Sequence, residues 1–345
     1  MNDINASEFG YVIVTDYVKA NTGEDVSDAI QKIIDENPHR TIYFPDGEYI
    51  LAKPICTSAN GANAVSLELS KFATLKASAD WSSDEAMVRL GAAEPFNSIR
   101  VNGSNYGIFG GIIDGNGIAN GISIDSGRET VIEKVSIKNT FVGIHIKHGA
   151  NGNSSDADVQ NVNIVGNSKK GSIGVLIEGS DNSFTNMRIA AVQFGFKILA
   201  SSQLLKNIHP LYTFGGDLAD DEVYKESCAF WDDTWTHGIY NCCYSDQFAV
   251  GFRMRDGARQ IYTDCICYWY SGRGGKAVGF HCDGRFNSVL RSCNVFDRHE
   301  CEFKAYLTVT QEGGQGVISH PLVVPELLTD HTYKNYVIDK DMTNL

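Results

Sequence analysis

Basic residues are scarce in this sequence. Its 345 residues include 29 Lys and Arg against 42 Asp and Glu, a formal net charge of −13 at pH 7. A nucleic-acid partner requires a basic face that neutralises phosphates, so the composition argues against one. The same charge disfavours general binding to anionic membranes, whereas a local basic groove is still compatible with an acidic sugar.

Long apolar runs are also missing. The opening residues, MNDINASEFGYVIV, contain no basic segment followed by an apolar stretch, and no run approaches the length of a membrane-spanning helix. We therefore predict no membrane partner and no secretory signal. A cytoplasmic location follows from that absence, or a phage or secreted location if a signal has been removed.

Proline is rare, with 7 residues, whereas glycine is frequent, with 34. Together with many asparagines, this composition predicts numerous tight turns between short strands. Hydrophobic residues make up 43% of the chain, enough for a packed core and against global disorder.

Several chemical motifs are absent. The sequence has no HExxH, no P-loop, no nucleophile elbow and no EF-hand loop, so we predict no cofactor and no metal site. It also has no CxxC pair, which makes a zinc ribbon improbable. We expect most cysteines to be reduced core residues stacked in columns, because free cysteine behaves as a small buried hydrophobe. The nine cysteines are Cys56, Cys228, Cys242, Cys243, Cys265, Cys267, Cys282, Cys293 and Cys301.

A short unit that begins with glycine recurs along the chain. Its second and fourth positions are apolar, as in a strand with one buried face. The copies begin at Gly121, Gly143, Gly174, Gly195, Gly251 and Gly279. A strand that recurs every 21 to 31 residues predicts a solenoid of stacked coils.

One copy is missing between Gly195 and Gly251. The best candidate is the segment from Ser227 to Trp231, with Cys228 and Phe230 pointing inward. Residues 201 to 226 break the pattern, and we interpret them as an excursion that rises beside a site.

The segment from residue 8 to 55 carries a family resemblance. It has an Asp-Tyr strand, a Thr/Asp turn, an Ala-Ile-Gln helix and a Tyr-Phe-Pro-x-Gly-x-Tyr strand in succession. The matching residues are Asp16, Tyr17, Lys19, Thr22, Asp25, Ala29, Ile30, Gln31, Tyr43, Phe44, Pro45, Gly47 and Tyr49. In this order they resemble the opening of the pectate-lyase-superfamily right-handed β-helix proteins, although Val18 stands where that family usually has glycine.

The resemblance implies an all-β fold: a right-handed, single-stranded parallel β-helix with an N-terminal capping α-helix. An amphipathic helix there would cover the unpaired strand edge at the start of the solenoid. We predict one domain over residues 1–345, with a cap at 8–55, coils at 56–307 and a tail or cap at 308–345. Proteins of this superfamily often form side-by-side trimers, so the resemblance also implies a homotrimer.

The outward face of the coils is the predicted site. Residues between the apolar positions of each strand point outward, and stacked coils place them in columns about 4.8 Å apart. The predicted register puts Ala229 beside Arg253 in one column. In the next column it puts Trp231 beside Arg255 and Asp283.

This face gathers the side chains that carbohydrate chemistry needs. Glycoside hydrolysis uses a pair of carboxyl groups, arginine forks bind carboxylates or hydroxyls, and aromatic rings stack on sugars. The predicted catalytic residues are Asp232, Asp233, Asp256, Asp283 and His281. The predicted substrate-binding residues are Lys197, Trp231, Trp235, Arg253, Arg255, Tyr268 and Trp269. The alternative is that the aspartates close turns or pair with arginines, and that the rings cover the core.

These residues favour a carbohydrate-active enzyme that takes an oligo- or polysaccharide. The leading interpretation is a glycoside hydrolase or glycosyl-transferring enzyme with paired aspartates. A polysaccharide lyase acting on an acidic glycan is the second, and a non-catalytic glycan-binding tailspike or adhesin is the third. The fold by itself selects none of them.

Overall fold

The computed structural model describes residues 10–58, 64–92, 107–150, 153–269, 277–297, 305–311, 313–321 and 337–338. The chain divides into two compact units. The first comprises residues 1–167 and 178–182, and the second comprises residues 168–177 and 183–345. The prediction of one domain stays a prediction.

The first unit consists of short strands. They are β1 (Tyr11–Ile13), β2 (Thr41–Phe44), β3 (Gly47–Leu51), β4 (Ile55–Ser58), β5 (Ser66–Leu69), β6 (Ala73–Ala77), β7 (Ala86–Ala92), β8 (Gly107–Phe109), β9 (Ile112–Asp114), β10 (Asn120–Ile124), β11 (Val131–Glu133), β12 (Ser136–Thr140), β13 (Val142–Ile146), β14 (Asp158–Gln160) and β15 (Asn163–Gly166). The pairings between these strands are parallel and form three columns. The first column is β4-β7-β10-β13, the second is β1-β2-β5-β8-β11-β14 and the third is β3-β6-β9-β12-β15.

Alternation builds the core of each coil. In β10, Ile122 and Ile124 point inward and pair in register with Ile144 and Ile146 of the next coil. All four are at most 1% exposed. Aliphatic side chains thus stack coil upon coil, and apolar burial is the main favourable term in folding.

Helix α1 (Ser27–Glu36) covers the start of the first column. Ile30, Ile33 and Ile34 are buried along one stripe. The Gln31 side chain accepts a hydrogen bond from the backbone N–H of Cys56 (2.8 Å) and donates to the carbonyl of Cys56 (3.1 Å). One amide therefore satisfies both backbone groups at the exposed edge of β4, and the predicted capping helix is confirmed.

The second unit repeats the three-column plan. Its strands are β16 (Ile173–Ile177), β17 (Asn182–Ala190), β18 (Phe194–Ile198), β19 (Gln203–Leu211), β20 (Cys228–Asp232), β21 (Thr236–Asn241), β22 (Tyr244–Asp246), β23 (Val250–Arg255), β24 (Arg259–Thr263), β25 (Ile266–Trp269), β26 (Val278–Asp283), β27 (Val289–Arg291), β28 (Asn294–Asp297), β29 (Ala305–Val309), β30 (Val317–Ser319) and β31 (Val337–Ile338). The first column is β16-β18-β20-β23-β26-β29, the second is β19-β21-β24-β27-β30-β31 and the third is β19-β22-β25-β28. The predicted fold class, a mostly β solenoid of parallel strands, is confirmed.

Close packing between coils explains the glycine at the second position of β16, β18, β23 and β26. A Cβ on Gly195 would lie 2.4 Å from the carbonyl oxygen of Ala229, and one on Gly251 would lie 2.6 Å from that of Gly279. Real Cβ atoms do not approach an oxygen so closely, so only glycine fits without a shift of the backbone.

Strand β20 departs from that rule and corrects the predicted register. Ala229 occupies the glycine position, so Phe230 pairs with Phe252, and Trp231 pairs with both Lys197 and Arg253. The sequence-based alignment had placed Ala229 beside Arg253, two residues out of register. A shift of two preserves which side chains point inward, and Cys228 and Phe230 are buried as predicted.

The predicted excursion is shorter than expected. Residues 203–211 form β19 within a coil, and only residues 212–227 leave it, with a 3₁₀ turn at Gly216–Ala219 and helix α2 (Asp221–Lys225). Gln193, just before β18, donates to the carbonyl of Val223 (3.1 Å). The excursion therefore packs at the amino-terminal ends of the first-column strands, whereas Asp233 and Asp283 lie at their carboxyl-terminal ends.

The corner between the second and third columns has a constant length. The connections β21–β22, β24–β25 and β27–β28 each contain two residues, 242–243, 264–265 and 292–293. The first residue of each, Cys242, Asp264 and Ser292, has a positive φ near 50°. Connections into the first column are more variable, because residues 212–227 precede β20, 247–249 precede β23 and 270–277 precede β26.

An exposed aliphatic ladder runs along the second column of this unit. Leu204, Ile239 and Ile261 pair in register and are 42–44% exposed. Val289 and Val317 continue the same line, half-buried. Residues 317–319 were predicted to belong to an irregular tail, but they pair with β27 as part of a further coil.

The cysteines of the described residues are free thiols. Six of the eight are buried, Cys56 is half-buried and Cys242 is exposed, so the expected reduced core cysteines are confirmed for this part of the chain. Burial raises the pKa of Cys265, whose thiol contacts those of Cys243 and Cys293. Cys301 lies outside the described residues. No helix in the described ranges is long and apolar enough to cross a membrane.

Candidate functional site

A row of outward side chains crosses the first column of the second unit. Lys197, Trp231, Arg253, His281 and Thr308 occupy equivalent positions on consecutive strands, and we call this row the outer ladder. The Lys197 ammonium lies 4.8 Å from the centroid of the Trp231 ring, and the Arg253 guanidinium lies 4.5 Å from it. Both cations contact the electron-rich indole, which fixes their positions.

Asp283 joins the far end of the outer ladder. Its carboxylate accepts hydrogen bonds from Arg253 Nε (2.7 Å) and Nη2 (3.1 Å), and its Oδ1 lies 3.0 Å from His281 Nε2. Partial burial acts to raise the pKa of Asp283, but the hydrogen bonds and charge of Arg253 outweigh it and lower that pKa. Asp283 is therefore ionised at neutral pH.

A second outward row lies beside the first. Arg255 pairs in register with Asp283, and Asp233 follows β20 at the equivalent position. Arg255 Nη1 donates to the carbonyl of Asp233 (3.2 Å), and its guanidinium lies 4.1 Å from the centroid of the Trp235 ring. The two aspartates thus flank one arginine that is stacked on a tryptophan.

Asp256 is committed to an ion pair. It accepts hydrogen bonds from Arg285 Nε (3.1 Å), Nη2 (3.0 Å) and backbone N–H (2.7 Å). These bonds lower the pKa of Asp256 to about 2. A carboxylate held ionised in this way is a poor proton donor.

Asp232, one of the predicted catalytic residues, does not lie on the outward face. Asp232 pairs in register with the buried Met254, so it points inward and is 0% exposed. It accepts hydrogen bonds from the Thr234 hydroxyl (2.6 Å) and the Tyr240 hydroxyl (2.6 Å). Burial raises the pKa of Asp232, and the two hydrogen bonds lower it. Burial is the larger effect, so the pKa of Asp232 is about 6. Its physical role is to hold the turn that follows β20.

Two predicted aromatic residues also lie away from this face. Trp269 belongs to β25 in the third column, is 1% exposed and donates from Nε1 to the carbonyl of Phe248 (2.7 Å). Tyr268 lies on the outside of the same strand, with its ring 6.3 Å from that of Tyr244. They do not lie beside Trp231, because β25 belongs to the third column of the coil, and their role as substrate-binding residues stays a prediction.

The structure thus separates the predicted site residues into two groups. It brings most of them together on two neighbouring rows and the adjoining turn, namely Lys197, Trp231, Asp233, Trp235, Arg253, Arg255, Asp256, His281 and Asp283. It places Asp232, Tyr268 and Trp269 elsewhere. Whether the first group binds or acts on a ligand stays a prediction.

A groove that the sequence reasoning missed adjoins these rows. It has a volume of about 610 Å³ and is lined by Trp235, Thr236, His237, Gly257, Arg259, Arg285 and Asn287. Arg259 and Arg285 lie in second-column and turn segments, outside the glycine-led strands on which the prediction was built. Only the glycine of the sequence THG at the start of β21, typical of an irregular strand, marks this place.

No three metal-ligating side chains of the described residues converge on a common point. The carboxylates beside the outer ladder contact arginines instead: Asp283 contacts Arg253, and Asp233 contacts Arg255.

No protein-family profile matches the chain, and no curated protein matches it significantly. Solved structures do match. A tailspike protein, gp49 of Acinetobacter baumannii bacteriophage Fri1, described as a capsular polysaccharide depolymerase, is 12% identical with a TM-score of 0.60; the match covers 90% of this chain and 58% of that one. Pre-mature gene product 12 of bacteriophage phi29 is 12% identical with a TM-score of 0.53, over 89% and 45% of the two chains.

A surface adhesin of Streptococcus pneumoniae, PfbA, is 12% identical over 90% of this chain and 89% of the adhesin, with a TM-score of 0.49. Likeness at 12% identity does not decide between catalysis and binding. The chain spans little more than half the length of the tailspike and less than half that of the phi29 protein. At such low identity the likeness shows the fold alone: the chain is a right-handed parallel β-helix protein.

Proposed function

We propose that the protein binds a polysaccharide along the outer ladder of its second unit. The observation that carries this proposal is the position of Trp231, in register between Lys197 and Arg253 on the outside of three consecutive strands. The indole holds the two cations that lie over its ring, and their N–H groups can donate hydrogen bonds to sugar oxygens beside the exposed part of the ring. The regular coil spacing extends this surface in one direction, as a chain of sugar units requires.

The comparisons support a carbohydrate role only at the level of fold. The phage tailspike that shares the fold is described as a capsular polysaccharide depolymerase. Function depends on sites rather than folds, so the proposal depends on the ladder residues.

Binding to a panel of immobilised polysaccharides tests this proposal. We expect the wild-type protein to bind at least one glycan, and Trp231→Ala to weaken that binding by about tenfold or more, because aromatic contacts dominate such interfaces. Phe72→Ala is the control, since it removes an exposed ring from the first unit. Equal binding by wild type and Trp231→Ala would place the binding surface elsewhere.

Glycoside hydrolysis is a second candidate function, favoured by the arrangement of Asp233 and Asp283. The two residues occupy one outward row with Arg255 between them, which places their backbones about 10 Å apart at the strand spacing. That separation is close to the carboxyl distance of inverting glycosidases. In this candidate mechanism Asp283, which is ionised at neutral pH, would take the proton of the attacking water, and Asp233 would donate a proton to the leaving oxygen.

Mass analysis of products from a bound glycan tests the catalytic candidate. Asp283→Asn should lower turnover by about 10²- to 10⁴-fold while binding is retained, because general base assistance is worth that much. Hydrated products would support hydrolysis, and unsaturated products would support the lyase alternative. If the wild-type protein binds a glycan and leaves it intact, the protein is a glycan-binding module.

We also propose that the protein forms a side-by-side homotrimer. The exposed aliphatic ladder of Leu204, Ile239 and Ile261 supports this, because a second copy offers the same apolar stripe for burial.

A further inference from the structure

The groove beside the outer ladder differs from its surroundings in its unpaired cations. Arg253, Arg255 and Arg285 each contact an aspartate. The side chains of Arg259 and His237, by contrast, make no hydrogen bond or ion pair with any described residue. The protein has a net charge of −13, yet no described carboxylate neutralises this guanidinium. The groove wall therefore attracts an anion from outside the protein.

A break in the sheet directs His237 into this groove. The pairing of β21 with β24 shifts between Thr236 and Ile239, and His237 has φ 66°. A bulge of this kind turns one side chain out of the regular alternation, and His237 is exposed as a result.

The bulge is held from beneath by the buried network around Asp232. Gln260 accepts a hydrogen bond from the backbone N–H of Gly238 (2.5 Å) and donates to the Thr234 hydroxyl (2.8 Å). Thr234 in turn donates to Asp232. A Cβ on Gly238 would lie 2.6 Å from Gln260 Oε1, so the residue after His237 cannot be larger. The groove is therefore a preorganised feature, which reduces the entropy cost of binding.

The opposite wall supplies an aromatic platform. The Trp235 side chain is 54% exposed, and the Arg255 guanidinium stacks 4.1 Å from its centroid. Asn287 also lines the groove. An exposed ring, a guanidinium and an imidazole around about 610 Å³ match a sugar ring that carries an anionic group.

We propose that this groove binds an acidic sugar residue of the polysaccharide, with its carboxylate or sulfate at Arg259 and His237 and its ring against Trp235. This inference rests on the proposed function, because it names the chemical class of glycan that the neighbouring ladder takes. The guanidinium forms paired hydrogen bonds with either oxyanion, since both present two acceptor oxygens at the spacing of its N–H groups.

A glycan array tests the proposal with matched probes. It carries uronate-containing polysaccharides, the same polysaccharides after carboxyl reduction, and sulfated and neutral galactans. We expect the bound glycans to be acidic, and carboxyl reduction or desulfation to weaken binding by about tenfold or more, since a hydrogen bond to a charged group is worth that much. Binding of the uronates alone, or of the sulfated glycans alone, identifies which oxyanion the groove takes, and either result supports the proposal.

Arg259→Gln separates this inference from the proposed function. Arg259→Gln should bind the acidic glycan no more tightly than it binds the carboxyl-reduced glycan. The control is Arg291→Gln, which removes an exposed arginine outside the groove and should bind as wild type does. Tight binding of neutral glycans that still depends on Trp231 would overturn this inference alone. An unchanged preference for acidic glycans in Arg259→Gln would overturn it as well, and a complete lack of binding would overturn both proposals.

Discussion

At the scale of single residues, neighbouring aspartates have opposite environments. Asp233 is half-exposed beside Arg255, whereas Asp232 is buried against Thr234 and Tyr240. The sequence predicts that one member of the pair points outward, because strand side chains alternate. With Cys228 and Phe230 predicted to point inward, the same alternation puts Asp232 inward and Asp233 outward, as the structure shows.

Replacing Asp232 with Asn should change how stability depends on pH. The folded protein retains the Asp232 proton up to about pH 6, whereas the unfolded chain releases it near its ordinary value of 3.8. The folded state therefore binds more protons between these values, so this residue's contribution is greatest below pH 3.8 and is lost as pH rises through about 6.

Denaturant unfolding at several pH values measures this effect. The free energy of unfolding of Asp232→Asn minus that of wild type should rise by up to about 3 kcal/mol between pH 4 and 7. A difference that stays constant over this range would show that Asp232 titrates alike in both states.

At the scale of strands and helices, the glycine-led repeat allowed the inward residues to be predicted. Phe196, Phe252 and Phe280 are all 0% exposed, as the pattern indicates. Strand β20 was misaligned because its Ala229 tolerates the close carbonyl that excludes other side chains in the neighbouring coils. The groove was missed because a bulge is set by buried polar contacts, here between Gln260 and Gly238, which leave no periodic signal.

Gly251→Ala should destabilise the second unit. The new methyl group would meet Cys267 Sγ at 2.4 Å and the carbonyl oxygen of Gly279 at 2.6 Å, and overpacking of this kind costs about 1–3 kcal/mol. Gly215→Ala is the control, because its new methyl group would have no atom within 4 Å and the φ of Gly215 is −123°. Equal melting temperatures for the two variants would contradict this account of the glycine repeat.

Gln31→Ala should open the edge of β4. The variant removes both hydrogen bonds to Cys56, and an unsatisfied buried backbone group costs about 1–3 kcal/mol. Hydrogen exchange at the Cys56 amide should become faster, whereas Lys32→Ala, on the exposed side of α1, should leave it unchanged. Slow exchange in Gln31→Ala would mean that packing by Ile30 and Ile34 suffices to protect the edge.

At the scale of the whole molecule, positive charge is concentrated although the chain is acidic as a whole. A chain with 42 acidic and 29 basic residues nevertheless gathers Lys197, Arg253, Arg255, Arg259 and Arg285 around one face and its groove. Composition does not predict such clustering, because it arises from the register of strands that are distant in sequence.

Ile261→Asp tests the proposed homotrimer. We expect wild type to scatter light as a trimer of 37.8 kDa chains, and the variant to dissociate, because a charge in a buried apolar interface is not compensated. Phe72→Asp, at an exposed site of the first unit, should leave the mass unchanged. A monomeric mass for wild type at micromolar concentration would remove the proposal.

The constant two-residue corner between the second and third columns has an evolutionary consequence. The three corners share one length and one positive-φ conformation, whereas connections into the first column vary from three residues (247–249) to sixteen (212–227). Gains and losses of sequence can accumulate at that variable corner without shifting the register of any coil. Related chains should therefore diverge in length mainly at the amino-terminal ends of the first-column strands.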